Sequence, residues 1–281
     1  MTTLIPPKKT LIVALIAVAG LAISPLAAQT NESLDPEYGA RISLAADKKL
    51  SRGLHLRLEE EIRWDNNFSE FNRFHTTLGL TYKLNQNIKL GVGYALINPY
   101  SSSNSTFKSS RHRLMLDATY GIRLGNWRLS LKERVQGTYR TGDMNTYQQP
   151  RLALALKSRF KVQYKNLQRW EPYAYLEIRN TLNSYAVSAY YDGSAYLTAS
   201  GAQYGDEGWF ISGRSAYINR LRGCMGASYR IDKRSTIDFS LLADYNIEKV
   251  IDANAEGTKL KSYTRQTGFD GWVALGYTYA F

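Results

Sequence analysis

The chain has 281 residues, a formal net charge of +12 at pH 7 and a mean hydropathy of -0.37. Beyond residue 28 no apolar run approaches the roughly 20 residues of a transmembrane helix, which excludes a helical membrane domain. The single cysteine, Cys224, excludes a disulfide framework, and the positive charge favours anionic partners such as lipopolysaccharide, lipid headgroups or acidic solutes.

Residues 1–28 have the pattern of a secretory signal peptide. Two lysines ending at Lys9 precede an apolar run, residues 11–23, and Pro25 and small residues follow up to Ala28. The run is short for a membrane anchor and the proline breaks it, so we predict cleavage after Ala28. Export into the cell envelope of a Gram-negative bacterium would follow, where nucleic acid is not an expected partner.

Eleven strand-like runs fill the rest of the chain, and most are long enough to cross a bilayer. A tilted membrane strand needs about nine to eleven residues, whereas soluble strands average about five or six. Residues 29–281 contain no competing helical period and no linker, so we predict one all-β domain. The runs are 38–46, 54–64, 72–84, 88–98, 111–124, 127–140, 151–164, 172–181, 217–231, 236–250 and 272–281.

Side chains alternate along these runs, which gives each run an apolar and a charged face. In 111–124, for example, Leu114 and Leu116 oppose Arg113 and Asp117. A soluble lipocalin-like barrel would turn the apolar face inward, and a membrane barrel would turn it to lipid. Because a lipocalin has eight shorter strands, the pattern favours an antiparallel transmembrane β-barrel of 10–12 strands.

Short and long connections alternate between the runs. In outer-membrane barrels the short turns face the periplasm and the long loops face outside, and this order holds backwards from the carboxyl end. At the amino end it fails, because eleven is odd and bacterial barrels have even counts. Either residues 29–37 form a twelfth, irregular strand or a lumen segment, or one run is miscounted. The short connections are 85–87, 125–126, 165–167 and 232–235, and the long ones are 99–110, 141–150, 182–210 and 251–270.

Two glutamates interrupt the apolar face, Glu60 and Glu133. A charge near the bilayer midplane costs up to a few kcal/mol, although less for Glu than for Arg or Lys. We predict a β-bulge within Glu59–Glu61 and within Lys132–Arg134 that turns each carboxylate inward. The alternative is a paired role for these glutamates on the outside of the barrel.

The opposite face predicts a strongly basic lumen, in which Arg, together with Lys132 and Lys157, outnumbers Asp and Glu. Guanidinium groups and carboxylates can link neighbouring strands, so the charges either rigidify a narrow barrel or form an anion-preferring conduit. With ten to twelve strands the lumen should be nearly closed. The predicted charge network comprises Arg57, Glu59, Glu61, Arg63, Arg73, Arg113, Asp117, Arg123, Arg134, Arg159, Glu177, Arg179, Arg222 and Asp244.

The segment 182–210 is the longest polar connection and is rich in tyrosine. Tyrosine-rich loops are typical recognition surfaces, because the ring offers contact area at a low entropic cost. The segment could equally consist of strands that extend beyond the membrane, which we favour. Its tyrosines are Tyr185, Tyr190, Tyr191, Tyr196 and Tyr204, and Asp206 and Glu207 are its candidates for a calcium ligand.

The last residues form one more alternating face that ends on an aromatic residue. The face comprises Val273, Leu275, Tyr277, Tyr279 and Phe281. This ending resembles the closing strand of bacterial outer-membrane β-barrels. The resemblance implies that Phe281 is an assembly signal, recognised by the barrel-assembly machinery.

Several longer segments resemble an uncharacterised, Bacteroidetes-type family of outer-membrane barrels, the domain of unknown function 2490. The resemblance covers most of the chain after residue 28, although 182–210 fits it least. It implies an outer-membrane location, and it assigns no activity and no site residues. The similar segments are Leu44–Arg63, Thr81–Tyr94, Arg111–Leu116, Glu171–Asn180, Asn219–Arg222 and Asp244–Glu248.

Catalytic and metal motifs are missing from the sequence. The three histidines, His55, His75 and His112, show no metal spacing and no serine partner beyond the loop residues Ser109 and Ser110. We therefore expect no enzyme and no cofactor, and either a structural barrel or a narrow anion-preferring conduit. The alternatives are a lipid- or lipopolysaccharide-modifying enzyme and a soluble periplasmic carrier; the sequence leaves the oligomeric state open.

Overall fold

A computed structural model describes residues 30–191, 195–196, 209–255 and 260–281. The predicted signal peptide lies outside these ranges. No helix in the described ranges is long and apolar enough to cross a membrane. The strands are β1 Thr30–Ser33, β2 Glu37–Ser51, β3 Leu54–Asp65, β4 Glu70–Lys83, β5 Ile88–Ser101, β6 Thr106–Phe107, β7 Arg111–Leu124, β8 Trp127–Arg140, β9 Leu152–Tyr164, β10 Trp170–Tyr191, β11 Ala195–Tyr196, β12 Trp209–Arg230, β13 Ser235–Ala253 and β14 Leu260–Ala280.

Eleven of these strands form one closed barrel. The three short strands, β1, β6 and β11, lie outside the ring, which runs from β2 through β5, β7 through β10, and β12 through β14. Each strand pairs antiparallel with its neighbours, except that β14 and β2 pair in parallel from Asp270 opposite Glu37 to Ala280 opposite Asp47. We call this parallel pairing the seam.

The seam resolves the odd strand count. Hairpins reverse the chain at each step, so the first and last of eleven strands run in the same direction and can only close in parallel. The range of 10–12 strands is confirmed, and the expectation of an even number is wrong. Residues 30–33 neither cross separately nor enter the lumen, because β1 continues the seam from Thr30 opposite Thr264 to Ser33 opposite Thr267.

Each face of the seam packs an aromatic ring over a glycine. Trp272 lies over Gly39 on the lumen side and Tyr38 lies over Gly271 on the outer side, where an added Cβ would be 2.7 Å from the Tyr38 ring. The guanidinium of Arg41 stacks on Trp272, 4.2 Å from the ring centroid. Both glycines are needed here for this close approach rather than for backbone freedom.

The apolar faces point away from the barrel axis and the charges point inward. Leu116 and Leu176 are 63% and 68% exposed, whereas Glu177 and Asp244 are 3% and 2% exposed. A lipocalin-like protein would have the reverse arrangement, so the soluble-carrier alternative is wrong for this fold.

Glu60 and Glu133 remain on the outer face, and the predicted bulges are wrong. The ladders run without a register shift through Glu59–Glu61 and through Lys132–Arg134. Glu60 is exposed, and Glu133 accepts a hydrogen bond of 2.6 Å from the hydroxyl of Ser158 on the neighbouring strand. The hydrogen bond from Ser158, rather than a bulge, therefore offsets part of the cost of placing the Glu133 carboxylate on the outer face.

The two ends of the barrel differ. The short turns after β2, β4, β7, β9 and β12 share the end at which β14 terminates, and we call this the short-turn end. The opposite end, which carries the long connections, is the long-loop end. The predicted alternation of connections is therefore confirmed, although 182–191 and 260–270 are strand rather than loop.

Four strands extend beyond the others at the long-loop end. β10, β12, β13 and β14 have 22, 22, 19 and 21 residues, whereas the other seven barrel strands have 12 to 15. We call these four strands the tall wall and the remaining seven the short wall. The preferred interpretation of 182–210 as strand extension is confirmed for 182–191 and 209–210, and Tyr204, Asp206 and Glu207 lie outside the described residues.

Candidate functional site

The tall wall carries the most buried ion pairs of the lumen. Glu177 accepts hydrogen bonds from Arg159 Nε at 2.9 Å and from Arg220 Nη2 at 2.7 Å. Asp244 accepts a bidentate pair from Arg222, with both N–O distances 2.5 Å. Arg41 of β2 lies 3.8 Å from Asp244 and so reaches past β14 to β13, the second strand of the tall wall from the seam. Such paired, hydrogen-bonded charges fix their strands, and loss of one partner leaves a buried charge uncompensated.

The ion pairs of the short wall join fewer strands and are more exposed to solvent. Asp117 binds Arg134 through two contacts of 2.6 and 2.8 Å and Lys132 at 2.8 Å. Arg57 pairs with Glu59 two residues along the same strand, at 2.6 Å, and is 43% exposed. These contacts lie within one strand or between two adjacent strands, so they join fewer strands than the ion pairs of Glu177 and Asp244.

Another i, i+2 pair, Arg63 with Glu61, lies further along β3. His75 Nδ1 is 3.6 Å from Glu61, which makes this histidine part of the lumen network. His55 contacts Asp47 at 3.1 Å, and His112 bonds the hydroxyl of Tyr94 at 2.6 Å on the outer face. Within the described ranges, no serine hydroxyl is hydrogen-bonded to a histidine.

Several lumen cations make no ion pair with a described carboxylate, and six of them, which we call the unpaired cations, lie opposite or close to other cations. Arg113 Nε donates to the Thr138 hydroxyl at 2.9 Å and Arg140 donates to the Pro150 carbonyl at 2.7 Å. The buried Nε atom of Arg179 has no hydrogen-bond partner among the described residues, and the strongest electrostatic attraction on Arg179 comes from Glu248. The unpaired cations are Arg73, Arg111, Arg113, Arg140, Lys157 and Arg179.

Strand register places these cations directly opposite other cations. Arg73 is opposite Arg63, Arg111 is opposite Arg140, and Lys157 is opposite both Arg134 and Arg179. Like charges in such cross-strand pairs destabilise a sheet. Arg113 adds to the repulsion across the lumen, where it interacts electrostatically with Arg179, Arg63 and Arg73. The lumen therefore has an excess of positive charge that its own carboxylates do not neutralise.

Side chains fill much of the lumen next to this excess charge. Ala95, Ile97 and Gln136 are at most 2% exposed, and Met115 is 4% exposed. A cavity of about 90 Å³ remains deeper in the lumen, lined by Lys132, Arg134, Lys157, Arg159 and Glu177. Side chains therefore occupy much of the lumen at this level, and the nearly closed lumen expected from the strand count stays a prediction.

The connection between β8 and β9, residues 141–151, reaches across part of the long-loop end. Asn145 Nδ2 donates to the carbonyls of Ala253 and Asn254 at 2.8 and 2.9 Å, and the Tyr185 hydroxyl donates to the Thr146 carbonyl at 2.7 Å. Because β10 and β12 separate β9 from β13, this bridging loop spans the tops of several strands and narrows the entrance.

The residues of the predicted charge network form several separate ion pairs, and some of them make no ion pair with a described residue. Eight of its members form the four pairs Arg57 with Glu59, Arg63 with Glu61, Arg134 with Asp117, and Arg222 with Asp244, and Arg159 joins Glu177. Arg73, Arg113 and Arg179 are unpaired, as above. Arg123 is exposed at the short-turn end and makes no ion pair with a described residue.

Two residues of the buried ion pairs around Glu177 and Asp244 were missed from the sequence, Arg41 and Arg220. The sequence did contain a signal for Arg41, because this residue alternates with the outward-facing Ile42 and Leu44 and should therefore face the lumen.

Phe281, the predicted assembly signal, is 69% exposed next to Tyr279, and its amide donates to the Asp47 carbonyl at 2.9 Å. No group of three or more His, Cys, Asp or Glu within the described ranges is arranged to hold a metal ion.

Comparisons with known proteins agree with the family that the strand and turn patterns suggested. A solved structure, outer-membrane expressed OmpT of Vibrio cholerae, is 7% identical with a TM-score of 0.33, and the similarity covers 74% of this chain and 59% of OmpT. The chain thus spans less than two thirds of that structure's length. No curated protein sequence matches. The family model described as "Protein of unknown function (DUF2490)" matches residues 42–252, more than half of the chain, so the protein belongs to the DUF2490 family.

Proposed function

We propose that the protein is an outer-membrane β-barrel whose lumen is a narrow, anion-preferring path for small solutes. The observation that carries this proposal is the difference between the two faces of the barrel. The outer face of the barrel is apolar, and the inner face holds cations that no described carboxylate neutralises. A structural barrel would need only the paired charges, since unpaired cations weaken the wall that they belong to.

Aromatic residues support the membrane location. At the short-turn end the exposed rings of Trp127 and Trp170 pair with the half-buried rings of Tyr164 and Tyr229, with centroids 4.9 and 4.7 Å apart. Tyr139 is the exposed aromatic at the other end of β8. At about 3.3 Å per residue and a tilt of about 45°, Trp127 and Tyr139 are about 28 Å apart along the barrel axis, close to the ~25 Å band of membrane barrels.

The inner face supports a preference for anions. A cation that enters a narrow lumen meets Arg113, Arg179 and Lys157 without a matching carboxylate, whereas an anion finds them free to bind. Basic side chains at a constriction lower the entry barrier for anions and raise it for cations. The packed interior and the bridging loop imply a small conductance.

The placement of the histidines supports the view that the barrel performs no catalysis of its own. His112 faces outward against Tyr94, and His75 belongs to the lumen ion pairs. A nucleophile and its base must lie within hydrogen-bond reach of each other, and the described serines and histidines do not. The partners that we propose are outer-membrane lipid, lipopolysaccharide at the long-loop end and, through Phe281, the barrel-assembly machinery.

Single-channel recording in a planar lipid bilayer tests the conduit. With a potassium chloride gradient across the bilayer, we expect small current steps and a reversal potential of the sign that shows chloride preference. A double variant, Arg113→Gln with Arg179→Gln, should lower the ratio of anion to cation permeability at least threefold. Arg57→Gln, which alters a charge already paired with Glu59, is the control and should change the ratio little.

Two results would contradict this function. A folded barrel that never conducts, over many insertions, would leave only the structural role. Conductance that prefers cations would show that the unpaired guanidinium groups do not govern entry. Membrane fractionation of the native cells, with the protein recovered outside the outer-membrane fraction, would refute the location itself.

A further inference from the structure

The small cavity in the lumen has a lining unlike that of a packing defect. Of the five side chains around its 90 Å³, four are cationic, Lys132, Arg134, Lys157 and Arg159, and one is the carboxylate Glu177. Empty cavities in proteins are generally apolar, whereas polar cavities hold water or ions. At about 30 Å³ per water molecule, the volume corresponds to about three waters, or to one small oxyanion.

The lining has more positive charge than its carboxylates neutralise. Arg159 is bonded to Glu177, and both Lys132 and Arg134 are bonded to Asp117 just outside the cavity. Four lining cations therefore share two carboxylates, and Glu177 also accepts from Arg220, so the lining has at least two positive charges in excess.

Lys157 is the lining residue that carries the excess. Its ammonium group has three donors and makes neither a hydrogen bond nor an ion pair with a described residue, although Glu177 attracts it from beyond 4 Å. The strand register puts Arg134 on one side of it and Arg179 on the other. Arg113 and Arg220 add further positive potential. An ammonium among guanidinium groups keeps its charge at the lowest cost when an anion lies beside it.

We propose that this cavity binds a small tetrahedral oxyanion with two negative charges, of which hydrogen phosphate is the representative. An excess of at least two positive charges suits a dianion, and the ammonium of Lys157 with the guanidinium groups of Arg134 and Arg159 would donate to its oxygens from several directions. The site deepens the proposed anion-preferring lumen and rests on it, because the ion must reach the cavity through the lumen. The phosphate could arrive as the free ion or as the end group of a phosphomonoester.

Isothermal titration of the purified, detergent-solubilised barrel with inorganic phosphate tests the site. We expect one saturable site per chain in low-salt buffer. Lys157→Gln should weaken binding at least tenfold, Lys157→Arg should retain most of it, and Arg57→Gln, whose charge is paired at the short-turn end, should leave it unchanged. Titration with glycerol 3-phosphate separates the two sources, since a cavity for the free ion alone rejects the ester.

Thermal unfolding provides a second readout that does not depend on a calorimetric signal. Phosphate should raise the unfolding temperature of the unmodified barrel and of Arg57→Gln, and should raise that of Lys157→Gln much less, because the stabilisation by a ligand falls as its affinity falls. Without phosphate, Lys157→Gln should be at least as stable as the unmodified barrel, since it removes a repelled charge. A Lys157→Gln variant that fails to fold would contradict this expectation.

Three outcomes would overturn the proposal. They are the absence of saturable binding, equal loss of binding in Lys157→Gln and Arg57→Gln, and equally weak binding of chloride, sulfate and phosphate, which would indicate an adventitious ion only. The two proposals can fail separately. Phosphate binding without bilayer conductance would refute the conduit alone, and anion-selective conductance that phosphate neither blocks nor alters would refute this site alone.

Discussion

The tall wall and the short wall are built from the same kind of strand but obey different constraints. The short-wall strands, with 12 to 15 residues, are near the length that lipid requires, and their outer faces are apolar throughout most of that length. The tall-wall strands exceed it by several residues and carry the deepest ion pairs, at Glu177 and Asp244. Membrane thickness sets the minimum length of a strand, and the excess length must be stabilised by contacts of its own.

The contacts of the extended part differ from those within the membrane band. Above the band, Tyr185, Ile251 and Tyr263 are at most 8% exposed, so they are packed rather than lipid-facing. The bridging loop adds hydrogen bonds to β10 and β13. The tall wall therefore behaves as an ordinary packed β-structure that continues from a membrane barrel.

The largest effect that would test this difference is expected from Asp244→Asn. Removal of this carboxylate leaves Arg222 without its bidentate partner and leaves Arg41 and Arg220 without their shared anion, which should cost about 3–5 kcal/mol of unfolding free energy. The measurement is urea unfolding in lipid vesicles, followed by tryptophan fluorescence and by migration on a gel before and after heating.

Glu59→Gln is the matched change on the short wall. Its partner Arg57 is 43% exposed, so the loss should be at most about 1 kcal/mol. Equal losses in the two variants would show that the two walls do not differ in their dependence on lumen charges.

A medium effect is expected at the seam, where the two walls meet. In Gly39→Ala the added methyl group would overlap the ring of Trp272 and the carbonyl of Trp64, which should cost about 1–3 kcal/mol. Gly223→Ala, in the tall wall, is the control because its added Cβ has no neighbour within 4 Å. The same unfolding assay applies, and a Gly39→Ala barrel as stable as Gly223→Ala would show that ring-over-glycine packing does not hold the seam.

The smallest effect concerns the bridging loop. Tyr185→Phe removes the 2.7 Å hydrogen bond to the Thr146 carbonyl and should cost about 1 kcal/mol locally, with little change in global unfolding. Limited proteolysis should cut within residues 141–151 faster in this variant, whereas Tyr94→Phe, on the outer face of the short wall, should leave the cutting rate unchanged. Unchanged cleavage in Tyr185→Phe would mean that other contacts fix the loop.

Alternation in the sequence predicts the short wall well and the tall wall poorly, for a physical reason. The predicted runs 111–124 and 127–140 coincide with β7 and β8, because lipid demands an apolar residue at every second position. Residues 182–191 and 260–270 leave the lipid, so nothing enforces alternation there. Register shifts near Thr181 and Ala186 blur the period further.

The ion-pair partners in the lumen could not be predicted from the sequence either. The inward charges could be assigned from alternation, but their partners depend on register and on which strands close the ring. Arg41 meets Asp244 only because the seam is parallel, and parallel pairing leaves no turn signature in the chain. The error at Glu133 has a different cause. The predicted bulge took account of the cost of a single charge in lipid, but not of the hydrogen bond that the Ser158 hydroxyl donates from the neighbouring strand.

The seam also bears on the order in which the protein acquires its shape. Every other pairing of the ring joins strands that follow one another along the ring and the chain, so each can form by extension from a nearby turn or connection. The seam joins Ile42 to Leu275, the most distant partners in the ring, and no hairpin templates it. Because loop closure over so long a chain is entropically expensive and slow, we expect an open, curled sheet to accumulate first, with ring closure as the rate-limiting and final event.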